Sequence, residues 1–302
     1  MTAIRCAAAA LFFAGALGGA AFAQSAPNEG CRLVVESGSD NWLIAYDPFS
    51  QNEVVRNFDI TIVNQGEAPC AGMALADLRG EPFGLAMVGA GRRLPYILVD
   101  QRSGADITPR TGRTTPRAMR RPIHLGSGER ALLRFSFAIA PEEILAAGVY
   151  SQDALISIED ATGMVLAQKP VALGVEVEPA AVMGLKGRVG RVSGVATIEL
   201  GELREGPRDL GATLYVLSTG SYAVSVESAN NGRLRQGATD WYVNYRLFLA
   251  DRAINLASGD QIEVSSRRAR ADDYPLRVII GEVAGRRAGA YTDVLTLTVA
   301  AH

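Results

Sequence analysis

The sequence predicts an all-β protein made of two tandem β-sandwiches, the second lacking its last strand. Three observations predict it. Short runs alternate apolar and polar residues between Gly, Pro, Asn and Asp, the pattern of half-buried antiparallel strands. The two halves repeat one another. The element "AGAYTDVLTLTV" (288–299) is followed only by Ala300, Ala301 and His302, whereas its copy "AGVYSQDALISI" (147–158) is followed by another strand.

Residues 1–23 read as a secretory signal peptide. Arg5 gives a basic start, "CAAAALFFAGALGGAAFA" is the apolar run, and Ala21-Phe22-Ala23 is a small-x-small cleavage pattern. A membrane anchor is the other reading of this run. Of the three cysteines, Cys6 leaves with the signal, and Cys31 and Cys70 remain to pair as an exported chain's disulfide. Closing that loop would stabilise by roughly 4 kcal/mol on the chain-entropy model. The composition is 48% apolar and 21% charged with a net charge of −2, which is globular and offers no field for nucleic acid.

In the front half (24–180) the strands are "RLVVES", "FDITIVN", "YILVD", "ALLRFSFAI", "ALISIED" and "VALGVEVE". The longest helical candidate, "PEEILAAG" (141–148), is barely two turns. A Gly-rich passage, "MGLKGRVGRVSG", reads as linker, placed at 181–187. In the rear half (188–302) come "ATIEL", "ATLYVLS", "YAVSVES", "VNYRLFL", "LRVIIGEV" and "VLTLTV". The halves align in order: "LIAYDPFS" on "TIELGELREG", "FDITIVNQGEAPC" on "ATLYVLSTGSYAV", "LPYILVDQRSG" on "VNYRLFLADRA", and Gly148-Val149-Tyr150 on Gly289-Ala290-Tyr291.

"IELGEL", "YAVSVESANNGRLRQ", "NYRLFLADRA" and "AGAYTDVLTLTV" resemble the spore coat protein U domain over roughly 188–299. The front half resembles it more loosely through "AYDPFS", Cys31 and Cys70, "LPYILVD" and "AGVYSQDALISI", and departs from it over 84–122. The resemblance implies immunoglobulin-like, pilin-type sandwiches and a subunit of archaic, Csu-type chaperone–usher pili. It implies three partners: a periplasmic pilus chaperone, an outer-membrane usher and an adjacent pilin subunit.

The front half holds its own closing strand in "VLAQKPVALGVEVEP", after the turn "ATGM", while the rear half does not. Its last strand, at 294–299, would leave a groove edged by Tyr291, Val294, Leu295, Leu297 and Val299. Filling about five such pockets at about 2 kcal/mol each is worth on the order of 10 kcal/mol, comparable with a whole domain's stability. The rear sandwich is therefore expected to capture a strand from a partner. Between Ala23 and Cys31 stands only "QSAPNEG", with Pro27 and no large apolar residue, which reads as a subunit that accepts a strand and donates none. That describes a two-domain tip subunit, adhesin first. The rival readings are a periplasmic chaperone, also two immunoglobulin-like domains, and a free secreted carbohydrate-binding protein.

Two front segments are candidate receptor loops. "GLAMVGAGRR" (84–93) offers Leu85, Met87 and Val88, either as an apolar finger toward an abiotic surface or as a strand filling core. "PRTGRTTPRAMRRP" (109–122) crowds Arg110, Arg113, Arg117, Arg120 and Arg121, either for polysaccharide anions or as a solvated loop. His124 and His302 are the two histidines, and no nucleophile elbow, P-loop or dinucleotide fingerprint occurs. Glu142 and Glu143 lie in a polar turn. No catalysis, metal or cofactor is expected.

Overall fold

A computed structural model describes residues 30–50, 52–89, 91–114, 121–140 and 144–302. The predicted signal peptide, Arg117, Arg120, Glu142 and Glu143 lie outside these residues. Every regular element described is a strand, and residues 144–148 of the helical candidate form no helix.

The front sandwich runs β1 (Leu33–Gly38), β2 (Asn41–Tyr46), β3 (Val54–Asn64), β4 (Cys70–Asp77), β5 (Leu85–Ala86) and β6 (Arg93–Leu94). It continues with β7 (Ile97–Asp100), β8 (Ala105–Asp106), β9 (Ile123–Leu125), β10 (Arg130–Ile139), β11 (Gly148–Glu159) and β12 (Val165–Val177). One sheet has the order β1-β3-β10-β7-β8 and the other β2-β12-β11-β4-β9. Alternation explains the core between them. Phe135, Phe137 and Ile139 of β10 face Trp42 and Ile44 of β2 and Ile156 and Ile158 of β11, all buried. Trp42 stacks on Phe58 at 5.1 Å, which anchors the chain where it crosses from β1 in one sheet to β2 in the other. Cys31 and Cys70 form the predicted disulfide. Beside it the fully buried Asn64 amide donates to the carbonyls of Ala68, Leu125 and Gly126, which closes this end of the sandwich.

The rear sandwich runs β13 (Ala181–Gly187), β14 (Gly190–Val192), β15 (Val195–Thr197), β16 (Gly206–Ser218), β17 (Tyr222–Ser228) and β18 (Arg233–Arg235). It ends with β19 (Tyr242–Leu249), β20 (Arg252–Ile254), β21 (Asp260–Val264), β22 (Arg270–Ile280) and β23 (Leu295–Ala301). Its sheets are β13-β16-β22-β19-β18 and β21-β17-β23, with β14 and β15 forming a separate hairpin. A second core, headed by Leu214, Val216, Tyr222, Val224 and Leu247, fills it.

The internal repeat is visible in register. Leu98 pairs with Phe137 as Leu247 pairs with Val278, and Ile60 pairs with Leu133 as Leu214 pairs with Tyr274. Gly148 and Gly289 both sit at positive φ, 139° and 152°, a conformation closed to most side chains. Two residues on, Tyr150 and Tyr291 each donate a hydroxyl to the carbonyl four residues back, at 3.1 and 2.7 Å. That is the tyrosine-corner contact that pins a sandwich strand as it enters the sheet.

Two expectations are corrected. Residues 181–187 are no linker: β13 pairs with β16 from Ala181–Ser218 to Gly187–Ala212. The opening rear strand is therefore β13, not "ATIEL", of which only 196–197 is strand, within the hairpin.

Candidate functional site

The sandwiches differ at one edge. In the front, β11 is flanked by β4 and β12, and β12 by β11 and β2. In the rear, β23 pairs with β17 on one side, and among the described residues no strand pairs with its other side. The equivalent side chains report the consequence. Tyr150, Gln152, Ala154, Ile156 and Ile158 are buried, flanked along the sheet by Val175, Leu173, Val171 and Ala167 of β12. Tyr291, Asp293, Leu295, Leu297 and Val299 occupy the same places in the rear, and all are only half-buried. Across the opening, Ala181, Met183 and Leu185 of β13 and Ile198 and Leu200 beyond β15 are also half-buried against the core. The result is two facing rows of half-buried apolar side chains beside a backbone edge that no strand pairs with among the described residues, the two features that recognise an extended strand.

Asp293 fixes the entry to β23. Its carboxylate accepts from the Ser228 hydroxyl and the Tyr245 hydroxyl, each at 2.6 Å, and from the Asn230 and Val294 amides at 3.0 and 2.8 Å. Burial, together with the bond to that carboxylate, pushes the Tyr245 hydroxyl well above its ordinary value. Gln152 takes the same place in the front and ties the loop after β4 through Gly84 N and Pro82 O.

Of the predicted groove residues, Tyr291, Leu295, Leu297 and Val299 line the opening. Val294 does not. It precedes β23 and is 60% exposed on the outer side, because alternation turns it away from its neighbour Leu295. Met183 and Leu185 were missed because their segment reads as linker, although the spacing of Ala181, Met183 and Leu185 carries a period of two.

The front loops divide. Leu85 is fully buried in the core and offers no receptor contact, so that assignment is corrected. Met87 is half-buried over Gly148, where a Cβ would stand 2.6 Å from its sulfur. Val88 is fully exposed at the loop tip. Arg110 pairs with Asp106 at 2.7 Å, and Arg113 pairs with the buried Glu159 and lies 3.8 Å from Asp77. Arg121 is exposed, and its carbonyl accepts from Arg102. The two paired arginines are thus held by acids rather than presented as one free cationic cluster. Among the described residues no group of three His, Cys, Asp or Glu is arranged for a metal.

No family model matches the chain, and no curated protein matches it. Solved structures do. One is the CsuC–CsuE chaperone–tip adhesion subunit pre-assembly complex from archaic chaperone–usher Csu pili of Acinetobacter baumannii. It is 13% identical with a TM-score of 0.45, over 88% of this chain and 99% of that one. Another is the CupB6 tip adhesin of Pseudomonas aeruginosa, 12% identical with a TM-score of 0.35, over 88% and 94%. The CooA pilin subunit of enterotoxigenic Escherichia coli is 15% identical with a TM-score of 0.33, over 50% and 99%.

Proposed function

We propose that this chain is an exported fibre subunit of the chaperone–usher kind, with a tip adhesin's division of labour. The rear sandwich accepts a strand, first from a periplasmic chaperone and then, at the usher, from a neighbouring pilin. The front sandwich, closed by its own β12, presents the binding surface on the cell-surface pilus. One observation carries this reading: the edge that β12 covers in the front has no strand beside it on β23 in the rear, among the described residues. A chaperone would need a strand to lend, and β12 is engaged on both edges. The apolar tip at Val88 suits a hydrophobic abiotic surface, and Arg121 suits an anionic polysaccharide.

Co-expression with a pilus chaperone in the periplasm tests the proposal. A one-to-one complex is expected, and Leu297→Asp in the groove wall should abolish it while leaving the front sandwich folded. Stable accumulation of the chain alone, indifferent to the chaperone, would mean a free secreted binding protein instead.

A further inference from the structure

The outer face of the larger rear sheet carries charge that its front copy does not. Alternation turns Val243, Tyr245, Leu247 and Leu249 of β19 into the core, and Tyr242, Asn244, Arg246 and Phe248 outward. Each of these four outward rows holds an arginine. Arg235 of β18 lies beside Tyr242, Arg233 beside Asn244, Arg246 stands on β19 itself, and Arg277 of β22 lies beside Phe248. Rows about 7 Å apart make this a ribbon of guanidiniums roughly 20 Å long. Arg233, Arg246 and Arg277 are exposed, and Arg235 is half-buried.

The aromatic residues in the ribbon hold the cations without neutralising them. The Arg233 guanidinium sits over the Tyr242 ring at 4.7 Å, Arg286 reaches the same ring at 5.5 Å, and Arg277 covers Phe248 at 4.9 Å. A stacked guanidinium keeps its N–H edge free to donate. Arg235 donates to the Thr239 carbonyl at 2.9 Å. Among the described residues none of these five arginines forms an ion pair, and Asp273, an acid on the same face, is taken by Lys186.

The front copy shows what the fold alone requires. Leu98 pairs with Phe137 as Leu247 pairs with Val278, so Ile97 stands in the place of Arg246 and Ser136 in the place of Arg277. Arg134, on the outer face of that front sheet, is spent on Asp59 through two bonds of 2.8 and 2.7 Å. The rear arginines are therefore not needed to build the sandwich, and an arriving anion relieves their mutual repulsion.

We propose that this ribbon binds an extended polyanion, a polysaccharide bearing carboxylate or sulfate groups. Charge complementarity sets the sign. Guanidiniums spaced along an open strip suit a linear chain that presents oxyanions at intervals. The choice of sugars over an acidic polypeptide rests on the exported location proposed above. The site itself is independent of the strand acceptor, which lies between the sheets.

Binding of the mature chain to polygalacturonate, dextran sulfate and plain dextran, measured at rising salt, tests this. At least one charged polymer should bind and weaken as salt screens the contact, with plain dextran unbound. Arg246→Ile with Arg277→Ser, the front copy's residues, should weaken binding about tenfold at an unchanged melting temperature, and lysine at both positions should restore part. Arg233→Ala alone, on the edge strand β18, should cost about threefold. Arg121→Ala in the front loop should change nothing. Binding that survives the rear variants and is lost with Arg121→Ala overturns this inference and moves the polysaccharide to the front sandwich. Failure of both charged polymers to bind, or polyglutamate bound as tightly as the sugars, also overturns it, and neither result touches the acceptor reading.

Discussion

Tyr96 and Tyr245 occupy equivalent places in the two sandwiches and meet opposite fates. Tyr245 donates to Asp293, whereas the Tyr96 hydroxyl is buried between Phe83 and Phe137 with no partner among the described residues. The difference traces to one substitution in the repeat, Gln152 for Asp293, because the glutamine amide is spent on the loop after β4. An unsatisfied buried hydroxyl costs about 1–3 kcal/mol, and a satisfied one contributes about 1. Tyr96→Phe should therefore leave the front sandwich as stable or more stable, while Tyr245→Phe lowers rear stability by about 1 kcal/mol. Urea unfolding of the two variants decides it. Asp272 adds a pH dependence. The Arg270 guanidinium, with the Tyr222 hydroxyl, holds its carboxyl below the ordinary 3.8. Its folded value is thus below its unfolded one, so its contribution is complete above that ordinary value and lost as pH falls through the folded value. Melting of the rear sandwich should be level from neutrality to about pH 5 and fall below about pH 4, and Asp272→Asn should flatten the fall.

At the scale of elements, long alternating strands such as β3, β10, β11 and β22 were legible in the sequence because burial on one face writes a period of two. The glycine–tyrosine entry to β11 and β23 was legible for a backbone reason. Gly289 has φ of 152°, and a Cβ there would run into the Gln236 side chain, so Gly289→Ala should cost about 1–3 kcal/mol by thermal melting. What misled was glycine with another purpose. Gly184 lies opposite Tyr215, whose ring carbon would stand 2.6 Å from an added Cβ. A residue that reads as linker is thus the floor for an aromatic ring in β13. "ATIEL" misled in the opposite sense. It has the alternation of a strand, but the neighbour it would ladder with is not among the described residues. The short β5 and β6 carry too few residues for any period, so Leu85 could not be told from a surface finger. Loss of the disulfide by Cys31→Ser and Cys70→Ser together should lower the front transition by about 2–5 kcal/mol and leave the rear one in place.

At the scale of the whole molecule, two copies of one sandwich differ by one strand among the described residues, and the proposed function rests on that difference. The front core is sealed by Leu173 and Val175 of β12, each fully buried. The rear core leaves Leu295, Leu297 and Val299 half-open on β23. Unfolding is accordingly expected in two steps, the rear first. A strand that binds only the folded groove, at 100 times its dissociation constant, would raise the lower step by about 2.7 kcal/mol. Calorimetry of the mature chain, with and without a synthetic peptide of the β12 sequence, tests this most directly. The account predicts a lower transition that climbs with peptide concentration beneath an upper one that does not move. A single transition at one temperature, unmoved by the peptide, would contradict it.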